Sequence, residues 1–136
     1  MSATANQKGV AMSPRKVAVV AALVRGRSVQ DALTILDYTP RRSAQAVKDA
    51  IKSAAANAEH NHSYMPGTLE IVEISVTSGP RLKRFIPAAR GRARKFQRKT
   101  AHIKVTVDGE KRVIKKASER TLVPATKPET TEKETK

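Results

Sequence analysis

The sequence predicts an α+β fold, a small globular domain of three helices packed on an antiparallel sheet, with a long protruding β-hairpin. Three observations carry that expectation. Helical apolar spacing recurs in three segments between Ser13 and Glu59. Apolar–polar alternation at Val72, Ile74 and Val76, and again at Ile103, Val105 and Val107, marks two strands. Between those strands, residues 81–99 hold nine Lys or Arg and no Asp or Glu. So dense a charge makes a poor core and a good probe for a polyanion.

The elements follow in chain order. Residues 1–11 are small and polar without periodicity, and are expected to be flexible. Ser13-Pro14 predicts a helix start, with the hydroxyl capping an orphan N–H and proline at a position that needs no donor. Val17, Val20, Ala21 and Val24 then share one face, and Gly26 ends the segment. Ser28 and Asp31 have capping-box spacing and open a second helix through about Leu36, with Ala32, Leu33 and Leu36 as its apolar face. Thr39-Pro40 suggests a second cap-plus-proline start. The third helix runs to about Ala58 or Glu59, with Ala44, Val47, Ile51, Ala54, Ala55 and Ala58 on one stripe. An alanine stripe implies close approach to its neighbours. Asn61 to Gly67 is expected to be a loop.

The two strands are expected to pair antiparallel as a hairpin spanning about 70–107. Its tip falls at about 87–92, where Gly91 can take a positive φ. Arms of about 16 residues give a ribbon roughly 50 Å long. A domain of this size cannot cover it, and a lone two-stranded ribbon is marginal in water. It must be held by something else. After Asp108 the composition turns to Lys, Glu, Thr and Pro, which predicts a disordered tail over 109–136. The domain proper is therefore 12–108.

Charge narrows the function. The chain has 136 residues and a net charge of +15, and residues 81–107 contribute +10 of it. Phosphate backbones are the usual counter-charge for such a segment. The longest apolar run, Val17 to Val24, is far short of a membrane span. No signal-peptide pattern opens the chain. With no cysteine there is no disulfide, thiolate metal site or thiol nucleophile, which fits a reducing cytosol.

Other readings are weaker. The first two helices could form a helix-turn-helix reading DNA, but the second carries Asp31 and Asp37 and no cation. Glu59, His60 and His62 lack metal-site spacing, and two histidines at a helix C-terminus suit the macrodipole. No nucleophile elbow, phosphate-binding glycine loop or carboxylate pair appears, so neither an enzyme nor a cofactor is expected. Within the basic segment, alternation places Arg90, Arg92 and Arg94 on one face, Arg81 and Lys83 together, and Arg84 opposite. A ribbon charged on both faces suits insertion between RNA segments, and arginine's planar fork both grips phosphate and stacks on bases.

Three stretches, MSPRKVAVVAALVRGRSVQDAL, AIKSAAANAEHN and SGPRLKRFIPAARGRARKFQRKTAHIKVTV, closely resemble the bacterial large-subunit ribosomal protein family numbered twenty-two. The likeness runs from about Met12 to Asp108. Its most specific part is the pattern of Pro87, Gly91-Arg92 and His102-Ile103 within the basic run. The resemblance implies a structural constituent of the large subunit, cytoplasmic, that binds 23S rRNA and aids subunit assembly. Its hairpin would line part of the nascent-peptide exit tunnel. The partners it implies are 23S rRNA, neighbouring large-subunit proteins and the nascent polypeptide, with no membrane, metal or small-molecule substrate. On this reading Ser13, Arg15, Lys16, Arg25, Arg27, Arg81, Lys83, Arg84, Arg90, Arg92, Arg94, Lys95, Arg98, Lys99 and His102 are candidate rRNA contacts. Pro87, Ala88, Ala89, Arg90, Gly91 and Arg92 would form the tunnel-lining tip. Ala88 stands where the family usually has a basic residue, which removes one tip contact. The tail beyond about Gly109 exceeds the usual family length.

Overall fold

The computed structural model describes residues 2–111. Five strands and three helices follow in the order β1 (Ala3–Val10), α1 (Pro14–Val24), α2 (Val29–Tyr38), α3 (Arg42–His62), β2 (Glu70–Ser78), β3 (Leu82–Pro87), β4 (Ala93–Arg98) and β5 (Ala101–Asp108). The expected α+β architecture is borne out. A three-stranded antiparallel sheet in the order β1-β5-β2 carries the helices on one face, and β3 pairs with β4 as a separate two-stranded ribbon.

The core lies between α1, α3 and the sheet. Ile103, Val105 and Val107 of the central strand are fully buried, facing Val17, Val20, Ala21 and Val24 of α1 and Val47 and Ile51 of α3. The alanines of α3 do what their small volume suggests. Ala44, Ala46, Ala50, Ala54 and Ala58 are buried where the helix presses on β1 and β5. Apart from Tyr64 the core is aliphatic, as a chain with no Trp requires.

Several local expectations are corrected. The N-terminus is not a flexible segment: Ala3–Val10 is an edge strand registered on β5, with Ala3 opposite Val107 and Ala5 opposite Val105. Its apolar face is only Ala3 and Ala5, too weak a signal to read, and a bulge between Gln7 and Val10 hides the rest. Ser13 does stand at the N-cap of α1, but its hydroxyl makes no capping bond. Ser28 does cap α2, accepting from the Asp31 amide at 3.1 Å while donating to the Asp31 carboxylate at 2.8 Å. Helix α2 runs two residues past Leu36. Thr39 ends it rather than starting α3, with its hydroxyl donating to the Ile35 carbonyl at 2.7 Å. Helix α3 starts at Arg42 and extends to His62, so the first two residues of the expected loop are helical.

The alternation in β2 also breaks. A bulge between Ile71 and Glu73 makes two residues face one on β5. Ile71 thereby turns into the core beside Ile74, and Val72 is pushed out to 60% exposure. Residues 109–111 depart from the expected tail. The Glu110 carbonyl accepts from the Met65 amide at 2.9 Å, and Lys111 bridges to Tyr64. The remainder of that expected tail, 112–136, lies outside the described residues.

Asp108 closes the sheet. The backbone N–H of Gly109 donates to its carboxylate at 2.9 Å, and the hydroxyl of Tyr64 donates as well. Both favour the ionised form and hold Asp108 below the usual aspartate value. Burial, then Asp108 itself, pushes the Tyr64 phenol up. A lowered carboxylate stabilises above its unfolded pKa and loses that contribution as pH falls through its folded pKa. Asp108→Asn is therefore expected to lower the urea midpoint at neutral pH. The gap to the unaltered protein should close as the solution is acidified through the lowered Asp108 value.

Candidate nucleic-acid interface

The hairpin leaves the globular domain where β2 and β5 stop pairing, at Ser78 opposite Ala101. The crossing is tight. The Gly79 amide donates to the Thr100 carbonyl at 2.9 Å, and the Thr100 hydroxyl donates to the Pro80 carbonyl at 2.7 Å. A Cβ on Gly79 would lie 2.5 Å from the Thr100 hydroxyl oxygen and 3.1 Å from the His102 ring. Gly79→Ala is thus expected to cost roughly 1–3 kcal/mol and to break the Thr100–Pro80 bond. Loss of amide protection at Gly79, read by hydrogen exchange, checks it.

Beyond that crossing, β3 and β4 pair from Leu82 opposite Arg98 to Pro87 opposite Ala93. Residues 79–87 carry the ribbon about 30 Å from the sheet. Every residue of both strands is exposed. Directly opposed residues in an antiparallel pair share a face, so the register sorts the side chains. Arg84 opposes Phe96, Ile86 opposes Arg94 and Leu82 opposes Arg98 on one face. Lys83 opposes Gln97 and Phe85 opposes Lys95 on the other. Both faces are cationic, as expected, and they differ in kind. One holds arginines with apolar side chains, the other lysines with Phe85. Phe85 and Ile86, at 65% and 46% exposure, have no core to join. Charge density alone does not reveal these apolar partners. Their signal was present as Phe and Ile at successive positions inside a run of cations.

The tip joins β3 to β4 between Pro87 and Ala93. Arg90 (φ 58°, ψ 37°) and Gly91 (φ 69°) are both left-handed, as in the type I′ turns that suit hairpin twist. The Ala88 amide donates to the Arg92 carbonyl at 2.8 Å, closing the loop. This turn corrects one expectation. Arg92 and Arg94 keep strand alternation, but Arg90 sits at the apex and shares no strand face with them. Arg90 is exposed at the apex, as are Pro87, Ala88, Ala89, Gly91 and Arg92.

The root of the hairpin meets the N-terminal ends of α1 and α3. A groove of about 680 Å³ lies there, lined by Lys16, Arg41, Arg42, Phe96, Arg98 and Lys99 among others, and by no acid. A second hollow of about 280 Å³ on the other side of Lys99 is lined by Ser13, Arg15, Arg81 and Thr100. The fold therefore gathers Ser13, Arg15, Lys16, Arg81, Arg98 and Lys99 from three distant stretches of chain. It adds Arg41 and Arg42, which the sequence reading missed because they stand apart from the basic run.

Three candidates lie neither at the root nor on the ribbon and its tip. Arg25 and Arg27 lie past the opposite end of α1. The Arg25 guanidinium donates to the Ile74 carbonyl at 3.0 Å, and Arg27 donates to the Leu23 carbonyl at 3.0 Å, closing the end of that helix. His102 is turned to the sheet, where its Nδ1 accepts from the Gly9 amide at 2.9 Å at the β1 bulge.

Among the described residues the only ion pair is Lys48 with Asp37, remote in sequence from every hairpin cation. The cations of the ribbon and its root therefore have no acidic partner among the described residues. The exposed side of α2 presents Gln30, Asp31, Thr34 and Asp37, an unsuitable surface for a DNA groove.

Comparison with known proteins settles the family. The profile of the family described as Ribosomal protein L22p/L17e matches residues 5–108. The chain belongs to the ribosomal protein L22p/L17e family. It is 48% identical to the large ribosomal subunit protein uL22 of Desulforamulus reducens over 111 residues, 82% of this chain and 98% of that one. The protein of the same name from Clostridioides difficile is 45% identical, covering 82% of this chain and all of that one. That of Herpetosiphon aurantiacus is 46% identical over 79% of this chain and 96% of the relative. The resemblance noted in the sequence is thus confirmed, and the L22p/L17e match extends it back to residue 5, inside the strand that sequence reasoning missed. L22p/L17e proteins are ribosomal proteins and not enzymes. Among the described residues no helix is long and apolar enough to cross a membrane.

Proposed function

We propose that this protein is a structural constituent of the large ribosomal subunit in the cytoplasm. Its hairpin binds 23S rRNA, assists assembly, and lines part of the exit tunnel with its tip. The observation that carries the reading is a solvent-exposed ribbon with cations and apolar side chains on both faces and no acid. The mechanism is counter-charge. Arg84, Arg94 and Arg98 on one face, and Lys83 and Lys95 on the other, neutralise phosphates of RNA segments that converge on the ribbon. Phe85, Ile86 and Phe96 fill the space between those contacts. The arginine face suits the more intimate contacts, because a guanidinium grips a phosphate with two bonds or stacks on a base, whereas an ammonium acts as a point charge. The root cations anchor the same RNA to the globular domain. Neighbouring ribosomal proteins meet the remaining surface, and the nascent polypeptide passes the apex formed by Pro87 to Arg92.

If roughly six to nine phosphates are neutralised, the log–log slope of affinity against salt should be of order −4 to −8. Binding of the full chain to a large-subunit rRNA fragment between 50 and 300 mM salt measures it. A slope near zero would refute the electrostatic reading. A photoreactive side chain at Ala89 tests the tip, and should cross-link to nascent peptide in translating ribosomes that carry the protein. Cross-links to RNA alone would remove the tunnel from the proposal.

A further inference from the structure

The groove at the hairpin root joins two parts of the molecule that otherwise touch little. One wall is the globular domain, through Lys16 at the start of α1 and Arg41 and Arg42 at the start of α3. The other is the returning arm, through Phe96, Arg98 and Lys99. We infer that this groove holds one unpaired stretch of RNA, with a base stacked on Phe96 and its phosphates on the five surrounding cations. The same ligand, by touching both walls, fixes the angle at which the hairpin leaves the domain. The inference rests on the RNA-binding reading above and names a site within it.

Three features point to a nucleotide strand rather than to a generic anion. The groove's volume of about 680 Å³ falls in the roughly 300–1,000 Å³ range that accommodates a small-molecule-sized group. Its cations are mostly arginine, whose fork matches phosphate oxygens. Phe96 lines the groove and is 40% exposed, which leaves aromatic surface open to a base. Stacking on an aromatic ring requires a base released from pairing, which excludes a continuous duplex. Helices α1 and α3 also begin here without side-chain caps, so their positive ends add to the field without defining the site. The walls are linked covalently only through residues 79–81 and 99–100, and the bonds that brace the crossing are those of Gly79, Thr100 and Pro80. A strand bound across both walls therefore limits the swing of the hairpin.

The test uses the full-length protein and a single-stranded RNA pentamer with 2-aminopurine at its centre. Binding should quench the fluorophore. Phe96→Leu should abolish the quench and weaken binding about 5- to 150-fold, the range expected for one stacked base. Arg41→Gln/Arg42→Gln should reduce the magnitude of the salt slope by about 1.4, at ~0.7 per single-strand phosphate. A Lys52→Gln control, exposed on α3 ten residues beyond Arg42 and outside both the ribbon and its root, should leave quench and slope unchanged. All three variants alter exposed positions, and unchanged thermal unfolding confirms that each is folded. Should the Arg41/Arg42 variant bind the pentamer as the unaltered protein does, the groove assignment is overturned. The RNA-binding reading then stands or falls separately, on the salt slope with the rRNA fragment. Equal affinity for adenosine monophosphate, or equal displacement by polyglutamate of matched charge, would also overturn the assignment to an RNA strand.

Discussion

Converting Arg84, Arg94 and Arg98 together to Gln is expected to weaken binding to the rRNA fragment by at least about 100-fold at 150 mM salt. The magnitude of the salt slope should fall by about 2–3, because three phosphate contacts are lost at nearly one unit each. Register puts these three side chains on one face with Leu82, Ile86 and Phe96, so the change strips a whole surface of charge. Stability should hardly move. All three residues are exposed, and none has an acidic partner among the described residues. An unchanged urea midpoint beside a collapsed affinity separates this result from unfolding. Lys83→Gln/Lys95→Gln should cost less affinity per charge removed, since an ammonium lacks the guanidinium's paired donors. Equal losses per charge on the two faces would show that only total charge matters.

The second large effect lies in the domain that carries the hairpin. Ile103→Ala is expected to destabilise the fold by roughly 2–5 kcal/mol. Ile103 is fully buried on the central strand, opposite Val76 on one side and Gln7 on the other. Deleting its side chain leaves a cavity where both flanking strands and α3 converge, and rigid strands collapse poorly around such a gap. Set against a typical total of about 5–15 kcal/mol, that loss is large. Urea unfolding followed by circular dichroism measures it. A loss under 1 kcal/mol would mean that the sheet tolerates repacking at its centre. Because the hairpin arms continue β2 and β5, this variant should also loosen the hairpin root, an effect absent from the arginine triple variant.

Much of the fold was legible because period and punctuation agreed. Val17, Val20, Ala21 and Val24 declared one face of α1, and the alternation of Ile103, Val105 and Val107 declared β5. The hairpin could be read from charge alone, since no core could accept residues 81–99. What escaped was decided by tertiary contact. Strand β1 has little apolar content and exists because β5 offers it a free edge. Val72 and Ile71 exchanged places because of a bulge that no alternation pattern announces. Thr39-Pro40 has the form of a helix start, yet the Thr39 hydroxyl found the Ile35 carbonyl first.

The site divided in the same way. The cations of the ribbon were plain, but their sorting into an arginine face and a lysine face required the register. Arg90 shows why. Counting by twos from Arg94 places it on the strand face, and the left-handed pair at Arg90 and Gly91 takes it off. Arg41 and Arg42 belong to the root only because α3 starts beside the returning arm. Arg25 and Arg27 lie close in sequence to Arg15 and Lys16, and the length of α1 separates them in space.

Amide hydrogen exchange over residues 82–98, in the free protein and in its complex with large-subunit rRNA, tests the central claim most directly. A bare ribbon of this composition is expected to exchange within the dead time when free. It should become protected along both strands when RNA fills its two faces, while the β5 core amides stay slow throughout. Protection of residues 82–98 in the free protein equal to that in the complex would contradict the claim that RNA holds the hairpin in place.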